Sequence, residues 1–171
     1  MLNVFFTAKA LQLYDVACRQ GFMSKVWSTV TGHSRCLFDL KTIQQTVSVQ
    51  NRHFAGLQIV SMAQIRGSEG RSREFDVQFR PLQTHTKYRW INIAVAQQEG
   101  QPLPPVELIQ IGDIYFVRDG HHRLSVAYML GQEEIEAEVT IWETVGPLPW
   151  KQPTPGDMPK QHATPWANVC I

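Results

Sequence analysis

From Val106 to Gly131 the chain reads "VELIQIGDIYFVRDGHHRLSVAYMLG", and this stretch constrains the fold more than any other. "VELIQI" and "IYFVR" are β-rich runs flanking Gly112-Asp113, a two-residue Gly-X connection suited to a type II′ hairpin, so the two strands are expected to be antiparallel neighbours. A helix is predicted directly after them, from about Gly120 to Leu130, stopping at Gly131. Beyond it, "IEAEVTIW" alternates Ile135, Ala137, Val139 and Ile141 with Glu136, Glu138, Thr140 and Trp142, as a strand with one buried face should. Upstream, "GLQIVSMAQIRGS" has β-rich spacing, "EGRSREFDVQFRP" reads as a polar loop, and "TKYRWINIAVAQQEG" fits a helix ending at Gly100. From 57 to 142 the plan is α+β.

The two ends read differently. Residues 1–48 suggest a helical N-terminal region. Leu11, Tyr14 and Cys18 share one face of a helix over 8–20, with Gly21 as its stop. Phe22, Val26, Trp27 and Val30 repeat the pattern before Gly32, and Leu37, Leu40 and Ile43 do so again. No basic face marks a DNA-reading helix there. The C-terminal segment 146–171 holds six of the ten prolines and cannot propagate a helix or a central strand. Trp150 and Trp166 are candidates to pin it to the body, and a proline-rich arm of this kind also suits a protein partner.

With 43% hydrophobic and 18% charged residues among 171, the composition is that of a folded globular chain. A net charge of +1 supplies no global attraction to nucleic acid or to an anionic membrane. Cys18, Cys36 and Cys170 are too scattered for a disulfide framework, no apolar run is long enough to span a bilayer, and the start lacks a secretory pattern. The expected home is the cytoplasm.

The polar turn between strand and helix concentrates the chemistry. Asp119 is placed to cap the helix, and Gly120 permits an unusual backbone angle and a close approach. The unpaired amides of the first helical turn favour an anion. Arg123 offers a planar fork for phosphate oxygens, and His121 and His122 add donors whose charge can change near neutral pH. Arg123 also lies four residues after Asp119, so an intrahelical pair is the competing use of both. Adjacent histidines point about 100° apart on a helix, a poor arrangement for a shared metal. No metal site is expected.

At these residues the chain resembles the ParB/sulfiredoxin-like superfamily. The matching stretch is "LPPVELIQIGDIYFVRDGHHRLSVAYMLGQEEIEAEVTIW", with "IVSMAQIRGSEGRSREFD" and "QQEGQPLPPVEL" upstream. The resemblance covers about 57–142 and implies a mixed sheet with flanking helices. In ParB proteins the turn reads Gly-Glu-Arg-Arg and cradles nucleotide phosphates; in sulfiredoxins it reads Gly-Cys-His-Arg. Here the matching residues are Gly120, His121, His122 and Arg123. The sulfiredoxin cysteine position holds His121, which argues against cysteine-sulfinate repair. No helix-turn-helix follows the core, which argues against chromosome-partition-style DNA loading.

What the resemblance implies is a nucleotide phosphate-binding domain, acting as an NTPase or phosphotransferase on ATP, CTP or ADP with Mg²⁺. Asp119, Gly120, His121, His122 and Arg123, with Arg73 from the upstream loop, are the expected phosphate ligands, and the loop cluster of Arg71, Arg73, Glu74 and Asp76 is expected to face the turn. In related serine kinases an acidic residue of that loop serves as base, so Glu74 and Asp76 are catalytic candidates, and His121 of the turn is the third. The alternative is a ParB-like nuclease or nucleic-acid-associated regulatory module, disfavoured by the near-zero net charge.

Overall fold

The computed structural model describes residues 2–31 and 36–151. Helix α1 (Leu2–Thr31) is followed by strand β1 (Phe38–Asp39), the short helix α2 (Leu40–Gln44), β2 (Ser48–Ser61) and β3 (Ile65–Ser68). Then come helix α3 (Lys87–Gln98), strands β4 (Val106–Ile111) and β5 (Ile114–Asp119), helix α4 (His121–Met129) and strand β6 (Glu134–Val145). The strands form one mixed six-stranded sheet in the order β1-β3-β5-β4-β6-β2, with helices on both faces, so the class is α+β. The β4–β5 and β2–β6 pairs are antiparallel and the other three are parallel.

The hairpin, α3 and α4 lie where the pattern places them, because each is set by local rules. Gly112 turns the β4–β5 corner at φ +60, and Gly131 follows α4 at φ +75. The N-terminal region departs from expectation. Gly21 does not stop a helix: α1 runs through it without a break. A Cβ at Gly21 would sit 2.9 Å from the Pro81 carbonyl oxygen, so the glycine serves close packing of α1 on the 81–82 segment. The third predicted helix is also shorter than its apolar spacing suggested. Leu37 packs into the core, Phe38 and Asp39 form β1, and α2 begins only after Asp39, whose carboxylate accepts hydrogen bonds from the Thr42 amide and hydroxyl at 3.2 and 3.1 Å. The sheet therefore reaches beyond 57–142, taking in β1 and the first half of β2.

Two cores form because both sheet faces are covered. On one face Leu124 and Ala127 of α4 pack with Ile65, Val106, Leu108, Val117, Ala137 and Val139. Behind α4, Trp90 and Ile91 of α3 meet Tyr14 and Ala17 of α1 around Val126, and the Trp90 indole donates to Ser125 Oγ at 2.8 Å. On the other face Leu40 and Ile43 of α2 cover Ile109, Ile111, Ile114, Phe116 and Trp142. Trp142, assigned to the polar face of its strand by alternation, is therefore buried in a second core. Burial of each such side chain stabilises by about 1.5–3 kcal/mol, which is why the second face cannot stay wet. Trp150 does pin the chain after β6: its indole donates to Asp113 and its ring meets Phe38 and Phe116. Trp166 and the rest of 152–171 lie outside the described residues. No helix among the described residues is long and apolar enough to cross a membrane.

Candidate functional site

The site is built where β5 hands over to α4. Gly120 is the N-cap at φ +93 and ψ 18, and a Cβ there would lie 2.6 Å from Val106 Cγ1. Only glycine lets the chain reverse so close to β4. Asp119 does not cap the helix, contrary to expectation. It is still in β5, one residue before the cap, and its carboxylate instead accepts from Arg123 Nη2 at 2.5 Å. With no side-chain cap, the amides of His121, His122 and Arg123 have no acceptor within the helix.

Arg123 is largely committed within the protein. Its Nη1 donates to the carbonyls of Pro104 and Pro105, the latter at 2.6 Å, and with Asp119 three of the five guanidinium donors are used. It staples the entry to β4 onto α4. The remaining donors, one on Nη2 and one on Nε, are what it can offer a ligand.

The two histidines differ in how they are held. His121 Nε2 shares a hydrogen bond of 2.7 Å with Ser68 Oγ, Ser68 Oγ accepts from the Arg71 amide at 3.2 Å, and the His121 ring stacks on Phe75 with centroids 5.8 Å apart. His122 meets Phe75 edge-on at 5.4 Å, yet both its ring nitrogens are buried without a hydrogen-bond partner. Burial and the Arg71 guanidinium push the His121 pKa down to about 3. Burial, Arg71, Arg89 and His85 push that of His122 down to about 4. The expectation that these groups change charge near neutral pH is therefore corrected: both are neutral at pH 7.

This has a measurable consequence. Below pH 6.5 the unfolded chain binds protons at both imidazoles that the native state refuses, so stability present above that pH is lost as the pH falls toward 4 and 3. The melting temperature should fall over this range, and an H122L substitution should remove part of the fall. Parallel curves for the two proteins would show that His122 is not held neutral by the fold.

A cavity of about 30 Å³ opens between these groups. Asp119, Gly120, His121, His122 and Arg123 line it from the turn, Arg71 from the loop after β3, and Arg89 and Ile93 from α3. Three arginines against the lining Asp119, with Glu74 beside Arg71, leave it a net positive field. Of the expected loop residues, Arg73, Glu74 and Asp76 do not line it. The Glu74 carboxylate lies 3.7 Å from Arg71. Asp76 is buried, and its Oδ1 accepts from the Gln78 and Arg80 amides at 2.9 Å each, organising the turn in which Phe79 takes φ +54. Of that loop cluster Arg71 alone lines the cavity, and Arg89 is the addition. Arg89 did carry a signal: with Lys87 it sits in the first turn of α3, where the helix dipole disfavours cations. Among the described residues Lys87 finds Asp15 at 3.6 Å, but no carboxylate lies within 4.0 Å of Arg89.

A larger cavity, about 420 Å³, lies between the second half of α1 and residues 81–84. Its walls are mainly apolar and its titratable groups are Cys18 and Lys25, with the thiol pushed toward its protonated form by burial. Size favours that cavity, but converging unpaired donors favour the smaller one.

No protein-family model matches this chain, and no curated protein sequence matches it. Among solved structures it is similar to sulfiredoxin from Arabidopsis thaliana at 17% identity and a TM-score of 0.37, over 48% of this chain and 82% of that one. A likeness at that level carries no weight for the site. The α+β assignment stands on the sheet and its flanking helices.

Proposed function

We propose that the cavity at the start of α4 binds the phosphate of a nucleotide. The observation that carries this reading is His122, a buried imidazole with two unpaired nitrogens on the wall of a cavity that three arginines make positive. A buried polar group without a partner costs about 1–3 kcal/mol, and an oxyanion would accept from the single N–H of the neutral ring, the other nitrogen being itself an acceptor. The open amides of α4 and the residual donors of Arg123 face the same ligand.

Hydrolysis or transfer of the phosphate is the finer form of the reading. Glu74, tied to the cavity through Arg71, is the acid such a reaction would use. The residues fit phosphate better than they fit Mg²⁺. The carboxylate lining the cavity is Asp119, already engaged by Arg123, and no group of three metal-ligating side chains exists among the described residues. Charge neutralisation would fall to the arginines.

The test is a thermal-shift titration with ATP, CTP, ADP and inorganic phosphate. A ligand at about 100 times its dissociation constant adds roughly 2.7 kcal/mol of stability. Arg89 is the informative substitution, because it is exposed and its removal leaves no buried group unpaired. R89A should weaken binding about tenfold, matching the roughly 1.5–3 kcal/mol of a charge-assisted hydrogen bond at its lower end, with the unliganded melting temperature unchanged. No shift with any of the four ligands would remove the reading.

A further inference from the structure

Strand β2 ends the sheet on the side away from β1, pairing with β6 alone, so along residues 48–61 one edge of backbone donors and acceptors has no strand beside it among the described residues. Exposed edges are ordinarily protected by proline, lysine or shortness. This one has none of these: "SVQNRHFAGLQIVS" contains neither Pro nor Lys and is the longest strand of the sheet.

Its side chains add an apolar stripe. Register places Phe54 opposite Thr140, Leu57 opposite Glu138 and Ile59 opposite Glu136, so all three share the face that α2 covers only farther along. They are 65%, 57% and 65% exposed. On the same face, toward the start of the strand, Arg52 lies over the Trp142 ring at 4.1 Å. The strand thus has a cation near one end, large apolar residues after it, and two exposed glutamates of β6 beside the other end.

That pattern is complementary to itself when reversed. We infer that β2 is the seam of a two-fold dimer, in which the free edges of two copies pair antiparallel and join their sheets. The operation sets the Arg52 half of one strand against the Leu57–Ile59 half of the other. Phe54, Leu57 and Ile59 from both copies form one continuous apolar stripe. Each Arg52 comes within about two strand spacings, roughly 10 Å, of the partner's Glu136 or Glu138, a gap that two long side chains can span. β2 carries two bulges against β6, between Val49 and Asn51 and between Phe54 and Gly56, where Gly56 takes φ +82, and the seam uses the regular stretches 51–54 and 56–61. A symmetric pairing of this kind uses one patch twice and closes at two copies.

Sedimentation of the full chain between 1 and 100 µM tests this. The expected result is a concentration-dependent species at twice the 19.5 kDa chain mass. The double substitution L57K/I59K, at exposed positions, should raise the dimer dissociation constant at least tenfold with the far-ultraviolet circular dichroism unchanged. R52E should also weaken the dimer, and E136R/E138R added to it should restore association, an outcome that does not depend on how the lysine variant folds. A chain that stays monomeric throughout overturns the inference. So does a dimer unaffected by all these changes, which would move the seam to another apolar surface, such as Phe22, Met23 and Trp27 on α1.

Discussion

Replacing Gly120 with alanine is expected to lower the unfolding free energy by about 2–5 kcal/mol and to abolish anion binding. Two costs add. An L-residue held near φ +93 pays roughly 1–2 kcal/mol for its left-handed backbone, and the new methyl overlaps Val106, whose Cγ1 would be 2.6 Å and Cβ 3.0 Å away. Val106 cannot withdraw, since it is 1% exposed and β4 is paired on both sides. Overpacking of this kind costs about 1–3 kcal/mol. Relief would have to come from the start of α4, moving the amides and both imidazoles that face the cavity. Gly131 is the internal control: its φ is +75, but a Cβ there meets nothing within 4 Å, so G131A should carry the backbone cost alone. Equal losses for the two variants in urea denaturation would show that the contact with Val106 yields, and that the turn is not held where the cavity needs it.

The same contrast explains how much of the molecule is legible in its sequence. Gly112 and Gly131 punctuate the chain for local reasons, a two-residue corner and a helix end, and local patterns reveal them. Gly21 has the same letter but a tertiary reason, the Pro81 carbonyl lying where a side chain would be, and nothing within its own helix announces that. Trp142 is misread for a related cause. Alternation along β6 identifies one buried face correctly, but the second core depends on α2 folding over the opposite face, a contact made by residues a hundred positions away.

For the site, the turn residues were legible because strand, glycine and helix start are adjacent in the chain. Of the loop cluster only Arg71 reaches the cavity, and Arg89 joins it from a helix whose place beside the turn only the fold decides, its cation in the first turn of α3 being a local oddity that names no partner. The cap was misassigned by one residue. Asp119 remains in the strand while Gly120 occupies the cap, so the carboxylate is free to pair with Arg123, the competing use that the four-residue spacing had suggested.

His121 and His122 should respond to leucine with opposite signs, although they are neighbours on one helix. H121L removes the side-chain partner of a hydroxyl that is itself fully buried, leaving Ser68 Oγ with the Arg71 amide alone, and a loss of about 1–2 kcal/mol is expected. H122L removes two buried nitrogens that bond to nothing, replaces them with apolar atoms of similar bulk beside Phe75, and should raise stability by about 1–2 kcal/mol. It should also cost most of the affinity for phosphate, because the acceptor-seeking imidazole is gone. A position where the fold improves as binding fails is the signature of a residue kept for its ligand, since packing alone would favour the apolar side chain. Urea denaturation and phosphate titration of the two variants decide it. If H122L is destabilised instead, the imidazole is already satisfied in solution, and the strongest reason for an anion in this cavity disappears.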